Sequence, residues 1–421
     1  MRTALTPMPM TNTSKTMTLL VQRQLDAITT GNGAFLETFL RTAKAAGFRV
    51  RIVFAPWHAF GNRPFASIHP RLRALIDEVV WEGTVEAGGR YWSISPRIWA
   101  RFGVRLVHEL MRRAGMKVQW RNYFGRPMSS AEVARMSQAA DRDPADLTIA
   151  EYSSVGPVLD QLRQPTRKGV FVHDVLWMRA QRYREKGLEF DFYETTEAEE
   201  CGWVKSADFF VHASANEMAF FPPEFPADHA VWLRPVPPEF GEIPSEGKPQ
   251  VVFLGTTHAG NVDALNHFLE DIWPIILKRQ PDAELKVAGS VGDAIAPALK
   301  KSPNMTLLGR VEKLEDIGGP HAIGIAPTRL ATGVSIKVAE YLMLGMPVVA
   351  YPLAMEGFGG RLDGMVDIAE TPDAFADTVV RLLNNSEERK RLSDGAPART
   401  REILSNQEVA DFLNAEAALK P

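Results

Sequence analysis

Cysteine is almost missing from this chain of 421 residues: Cys201 stands alone, which excludes an intramolecular disulfide and any cysteine-built metal site. A reducing compartment, with the cytoplasm as the default, is the expectation. Long apolar runs are missing too. The opening MRTALTPMPMTNTSKTMTLLV places proline and polar residues where a signal peptide needs a continuous apolar core, and no later run reaches the roughly 18 apolar residues of a membrane span. A soluble or peripherally attached protein is therefore expected. The formal net charge of −3 gives no global case for nucleic acid. No His-Glu-x-x-His, Walker loop or Gly-x-Ser-x-Gly turn occurs, and Asp141-Arg142-Asp143 sits in a polar stretch where it reads as a turn cap, so no metal site is expected.

What is present is an ordinary globular composition, 45% hydrophobic and 24% charged, in a chain long enough for two cores. Charge is unevenly spread. Residues 1–240 hold 30 basic and 26 acidic side chains against 18 and 25 for residues 241–421. Pro235-Val236-Pro237-Pro238, with Gly241, Pro244, Gly247 and Pro249 beyond, reads as the linker between two domains, 1–240 and 241–421.

The most informative stretch is Pro327 to Phe358, PTRLATGVSIKVAEYLMLGMPVVAYPLAMEGF. An apolar run, Ala322 to Ala326, leads into a loop in which Thr332 and Ser335 flank Gly333-Val334 as candidate helix caps; the helix stops at Gly345, and Pro347 to Tyr351 reads as a buried strand. At about 100° per residue, Gly333, Lys337, Glu340 and Leu344 share one narrow stripe of a helix otherwise apolar nearly all round. Such a helix is a buried one, so Lys337 and Glu340 either pair with each other or face something that enters a crevice. On the second reading the helix N-terminus and Lys337 suit a diphosphate, and Glu340 suits the vicinal hydroxyls of a ribose.

This pattern resembles the donor-nucleotide site of the GT-B glycosyltransferases, in particular the retaining family 4 with its glutamate, seven residues, glutamate motif. Glu340 matches the second glutamate, and Thr332 stands in the place of the first. The Lys three residues before the Glu, the apolar-Gly-x-Pro-Val-Val run and the turn at Met355-Glu356-Gly357 resemble bacterial members most. The resemblance implies an α/β fold of two Rossmann-like domains facing a cleft, and transfer of a sugar from a nucleotide-diphosphate sugar to a saccharide or lipid-linked acceptor. No cofactor beyond that donor is expected. Two other readings stay open: a nucleotide-sugar epimerase on the same fold, and a catalytically silent subunit, suggested by Thr332.

Along the chain, Met17 to Val21 reads as a strand, Thr30-Gly31-Asn32-Gly33 as a turn, Ala34 to Ala46 as a helix and Phe48 to Phe54 as a strand. Gly31 and Gly33 would let the backbone approach a phosphate or sugar, or simply make the turn; the resemblance puts them at the cleft. Residues 90–126 are basic and aromatic, with Arg90, Arg97, Arg101, Arg105, Arg112, Arg113, Lys117, Arg121 and Arg126 against Glu109 alone. Such mixtures serve single-stranded nucleic acid, an anionic membrane surface, or a solvated helix face. With a lipid-linked acceptor the membrane surface is the sharper expectation. Strands are expected at Leu147 to Ala150 and at Gly169 to His173, with a helix around Val158 to Leu162 between them. His173 ends its strand where open α/β sheets bind ligands, and the resemblance places it beside the donor sugar. Glu194, Glu197, Glu199 and Glu200 read as a solvated face, while Ser214 and Glu217 read as a capping box opening a helix to Phe221. The second domain opens with the strand Val251 to Gly255, a turn containing Thr257, and a helix from Asn261 to Arg279. By resemblance this turn lines the donor site, and since no basic residue stands there, phosphate neutralisation falls to Lys337 with Arg310 and Arg329 as helpers. The expected contacts are His173, Lys337 and Glu340 for catalysis, with Gly31, Gly33, Thr257, Arg310, Arg329, Thr332, Gly333, Val334 and Ser335 holding substrate. The segment Glu408 to Leu419 is expected to cross back onto the first domain.

Overall fold

The structure, a computed structural model, describes residues 15–27, 31–61, 63–116, 125–187, 190, 192–236, 240–330 and 333–419. Two parallel sheets organise it, as expected of an α/β chain. In the first, seven strands run in the order Ala230–Trp232, Phe209–His212, Arg167–Val172, Leu147–Glu151, Thr16–Val21, Arg49–Phe54 and Glu78–Val80. The central strand Thr16–Val21 is buried over its last five residues because parallel sheets are covered on both faces, which is why it reads as a continuous apolar run. The second sheet orders six strands as Met305–Gly309, Leu285–Ala288, Gln250–Leu254, Ala322–Ala326, Val348–Ala350 and Asp367–Ile368. One side of it packs Phe268, Trp273, Ile276 and Phe375; the other packs Val338, Tyr341, Leu342 and Met346.

Tyr341 shows how sequence fixes the second layer. A side chain at Gly324 would sit 2.4 Å from the Tyr341 ring, so only glycine lets the helix Ile336–Met343 lie this close to the strand Ala322–Ala326. The Leu254 N–H donates to the Tyr341 hydroxyl at 2.6 Å, tying that helix to the neighbouring strand as well.

Several element boundaries differ from expectation for local reasons. The first helix begins at Gly31, so Gly31 and Gly33 belong to its first turn and not to a preceding loop. The expected helix at Val158 to Leu162 is part of a 3-10 helix, Ser153–Gln161, with Pro157 inside it. The long helix from Asn261 is Ala259–His267, a π-helical turn Phe268–Ile272, and Trp273–Arg279; Pro274 lacks the N–H that would continue a regular ladder. The helix after Ser214 covers only Ala215–Met218, and Pro222-Pro223 follow within four residues.

Between the strands Arg49–Phe54 and Leu147–Glu151, Phe65–Ala66, Thr84–Ala87 and Arg90–Ser93 form a small antiparallel sheet, followed by the helix Pro96–Arg113. The last helix, Gln407–Ala418, buries Val409 and Leu413 in the core of the first sheet. Its Glu416 accepts from Arg167 at 2.5 Å and lies 3.2 Å from His229, so the chain end is fixed to the first domain by both packing and charge.

Candidate active site

Open parallel sheets bind ligands beyond the C-terminal ends of their strands. Here those ends meet across a crevice. Val334 and Ile336 pack against the core of the first sheet, and a Cβ on Gly31 would lie 3.5 Å from Ile336 Cδ1. The starts of the helices Gly31–Ala45 and Ile336–Met343 therefore approach one another, each with N–H groups not used inside its helix.

On the second-domain wall, Lys337 and Glu340 are half-buried. Lys337 Nζ donates to Asn261 Oδ1 at 2.6 Å and stands 4.4 Å from the centroid of the Phe253 ring. Stretched that way, it forms no ion pair with Glu340, whose carboxylate has no hydrogen-bond partner among the described residues. A simple Lys–Glu salt bridge is thus not what this stripe contains. Burial lowers the Lys337 pKa to about 8 and raises that of Glu340 to about 7, each partly offset by the other's charge. The two groups offer a cation and a hydrogen-bond acceptor on one stripe of the helix.

The loop before that helix is equally open. Gly333 has φ of +73°, a left-handed conformation, and a Cβ there would come 3.4 Å from the His173 carbonyl. Ser335 occupies the N-cap position, yet its hydroxyl makes no capping bond; the amides of Val334 and Ser335 have no protein acceptor among the described residues. Thr332 lies outside the described residues. Thr257 is exposed, its N–H donating to Ser290 Oγ at 3.2 Å. Arg329 is neutralised by Asp263, both of whose oxygens accept from it at 2.8 and 3.2 Å, so it is less available as a phosphate helper than its position suggests. Arg310 is exposed beyond the edge strand Met305–Gly309, and no contact joins it to the Lys337 cluster.

The first-domain wall is closed. The His173 side chain, expected to point into the crevice, is instead fully buried: its ring lies 4.5 Å from that of Tyr152 and 4.0 Å from that of Phe171, so it sits in the core behind the strand ends. Its Nε2 is 3.1 Å from Glu151 Oε1, which also accepts from Arg23 at 2.7 Å. Burial would raise the Glu151 pKa, but the Arg23 charge and the His173 bond outweigh it; burial pushes His173 down. A neutral His173 therefore donates from Nε2 to an ionised Glu151, leaving buried Nδ1 as an unpartnered acceptor. Tyr152, at φ of +77°, carries backbone strain beside this group.

Two glutamates depart from the sequence reading. Glu200 is fully buried, accepting from Ser153 Oγ at 2.6 Å and from the amides of Leu176 and Trp177, so it caps the helix Leu176–Glu185 and is not on a solvated face. Glu217 does not complete a capping box. Ser214 Oγ accepts its N–H at 3.5 Å, but its carboxylate turns across the crevice and accepts from Gly333 N–H at 2.7 Å. Burial and the neighbouring Asp174 charge raise its pKa to about 8. Arg179, 2.8 Å from His258 Nε2, and Arg182, bonded to Glu356, likewise tie the two walls together.

Sequence reasoning assigned no role to Asn261, Glu151 or Arg23. Glu151 could have been found by the rule that singled out His173, since it ends the adjacent strand Leu147–Glu151. The Asp-x-Asp is committed inside the first domain: Asp141 accepts from the amides of Arg163 and Gln164, and Asp143 pairs with Arg51.

Residues 248–385 match the family described as "Glycosyl transferases group 1". A curated relative from Klebsiella pneumoniae, an uncharacterized 44.6 kDa protein in the cps region, is 25% identical over 168 residues, 38% of this chain and 43% of the relative's length. Among solved structures, a sucrose-phosphate synthase from Thermosynechococcus elongatus shares 12% identity with a TM-score of 0.61, covering 95% of this chain and 98% of its own. Anabaena HepE, solved with UDP and glucose, shares 12% with a TM-score of 0.59, covering 96% and 100%. A TarM variant from S. aureus, solved with UDP and a glycosylated glycerol, shares 10% with a TM-score of 0.63, covering 96% and 100%. Identities this low establish the fold alone. That fold is GT-B.

Proposed function

We propose that the protein transfers a sugar from a nucleoside-diphosphate sugar to a saccharide or lipid-linked acceptor in glycan synthesis, retaining the donor's anomeric configuration. The observation that carries this reading is that Lys337 and Glu340 do not pair with each other, at the mouth of a helix preceded by the Val334 and Ser335 amides, which have no protein acceptor among the described residues. As the C1–O bond to the diphosphate breaks, its electron pair passes to a phosphate oxygen. Lys337 and the helix N-terminus stabilise that charge where water is scarce. The acceptor hydroxyl oxygen forms the new bond to C1, and its proton leaves on the departing diphosphate. Glu340 accepts from the ribose hydroxyls, Thr332 and the Val334 and Ser335 amides hold the donor sugar, and His173 contributes through its backbone carbonyl beside Gly333. The likeness to HepE and TarM, each solved with UDP, makes UDP-sugars the first donors to test.

A thermal-shift panel of UDP-, GDP-, ADP- and dTDP-sugars identifies the donor, and NMR of the product linkage reads the stereochemistry. Lys337→Ala should lower kcat by roughly 10²–10³ with the matched donor, the range for losing one stabilising group at a developing anion. Inversion at C1 sinks the retaining mechanism. Conversion of a donor with no acceptor present identifies an epimerase instead.

A further inference from the structure

We propose that the helix Pro96–Arg113 docks the protein on an anionic bilayer surface, with its apolar side among the acyl chains and its arginines at the headgroup phosphates. An ordinary surface helix turns its apolar side inward. This one does the reverse. Of its 18 residues only Ile98 is buried. Trp99, Val104, Leu106, Val107 and Leu110 fall on one side at about 100° per residue and are 45–65% exposed. Among the described residues, seven of the protein's fourteen exposed large apolar side chains lie between positions 94 and 116. A patch this concentrated marks an interaction surface and not scattered exposure.

The charge on the same helix selects the partner. It carries five arginines, and its one acid, Glu109, already accepts from both Arg112 and Arg113. Arg97, Arg101 and Arg112 line the side adjoining the apolar one. A second copy packed on this face would bring arginine rows together, which opposes a dimer. Nucleic acid would be met by rings on which bases stack, and four of the five outward residues are aliphatic. An apolar side beside a basic one, on a helix lying in the interface plane, is what an anionic bilayer accommodates. No helix among the described residues is long and apolar enough to cross a membrane, so the contact is peripheral.

Docking here has a consequence for the crevice. Arg97 lies over the Trp57 ring at 5.5 Å, and Trp57 follows the C-terminal end of the strand Arg49–Phe54. The bilayer would thus lie beside the first-domain edge that a lipid-linked acceptor would approach. The inference stands on the helix alone and holds whether or not the chain transfers sugar.

The test is co-sedimentation of the full chain with phosphatidylglycerol–phosphatidylcholine vesicles and with phosphatidylcholine vesicles. Binding to the anionic vesicles alone, released by high salt, is expected. Leu106→Gln/Leu110→Gln should reduce it by roughly tenfold or more, since two inserted side chains lose their apolar transfer. Because both leucines are exposed, the variant's melting temperature should match the wild type's, which separates lost docking from lost folding. Equal recovery of wild type and variant with the vesicles overturns the proposal. So does a wild-type dimer that the double substitution makes monomeric without any vesicle binding, because the face would then be a self-interface. Donor turnover in free solution is a separate measurement, so failure of docking and failure of the sugar-transfer reading are distinguishable.

Discussion

The two walls of the crevice treat charge in opposite ways. On the first-domain side, Glu151 and His173 are buried and Glu151 is bonded to both His173 and the half-buried Arg23, with Tyr152 stacked on the His173 ring. On the second-domain side, Lys337 and Glu340 sit three residues apart on one helix and do not pair; Lys337 leans on Asn261 and Phe253, and the Glu340 carboxylate has no hydrogen-bond partner among the described residues. A buried charge cluster persists when its members satisfy each other, since removing one leaves the others unpaired. Half-buried charges left apart hold pKa values displaced toward neutrality, a pattern that clusters at ligand sites. One wall is built for rigidity and the other is prepared for a charged, hydroxyl-bearing guest.

The largest effect should come from breaking the closed wall. Glu151→Ala leaves the Arg23 guanidinium without its carboxylate and His173 without its acceptor, and the expected loss is about 3–5 kcal/mol of folding stability, read by urea unfolding. Glu340→Ala, by contrast, removes a desolvated carboxylate with no partner and should leave stability unchanged or raise it. Equal losses in the two variants would erase the distinction.

Glu217, which bridges the walls, gives the next effect and a sign. Its pKa in the folded state is raised to about 8, so between the unfolded value near 4.5 and that point the folded protein holds a proton the unfolded chain lacks. Stability from this group is present below the unfolded pKa and lost as pH rises through about 8. Glu217→Gln keeps an oxygen for the Gly333 N–H and cannot ionise. The stability of wild type relative to this variant should fall by roughly 3 kcal/mol from pH 5 to pH 8. Parallel stability curves across that window would show that Glu217 is not the buried acid described.

For the open wall the readout is ligand affinity. Glu340→Ala should weaken nucleoside-diphosphate binding by about 1.5–3 kcal/mol, the range for a hydrogen bond to a charged group, measured by calorimetry. With a nucleoside-diphosphate sugar, whose diphosphate is esterified at both ends and does not titrate here, affinity should rise as Glu340 ionises through about pH 7. It should fall again as Lys337 loses its proton through about pH 8. A flat profile would remove both groups from the contact.

How much of this was legible in the sequence depends on whether a residue's partner lies nearby in the chain. The parallel α/β pattern, the strand read at Met17 to Val21 and the apolar run Ala322 to Ala326 follow from local apolar periodicity, and the structure has strands at Thr16–Val21 and Ala322–Ala326. Lys337 and Glu340 were legible because a buried helix with one polar stripe is a local pattern. That they stay apart was not, because Asn261, which draws Lys337 away, is 76 residues distant. Glu217 misled for the same reason. Ser214 three residues before it satisfies the local capping rule, while the true acceptor role is toward Gly333, 116 residues on, and local rules carry no information about that separation. The apolar side of Pro96–Arg113 reads identically in sequence whether it faces the core or solvent; only the fold reveals which way it points.

The smallest expected effect sharpens the comparison most narrowly, because it concerns a cation near the open wall whose charge is already spoken for. Arg329 follows the strand Ala322–Ala326, where a helper for the diphosphate would stand, but both oxygens of Asp263 hold its guanidinium at 2.8 and 3.2 Å. Turning it toward a ligand would break a bidentate pair and expose an uncompensated Asp263 to the same diphosphate, so little net attraction is available. The pair is partly exposed, which limits its worth to stability as well. Arg329→Gln should therefore change nucleoside-diphosphate affinity by less than about 0.5 kcal/mol and folding stability by no more than about 1 kcal/mol. Asp263→Asn should do the opposite of a simple loss: with the carboxylate gone, Arg329 is released and affinity should rise slightly, most visibly at low salt. Calorimetry on both variants at two salt concentrations is the measurement. If Arg329→Gln weakens binding as much as Glu340→Ala does, Arg329 belongs to the diphosphate site and the second-domain wall extends further along its sheet than Lys337 and Glu340 alone define.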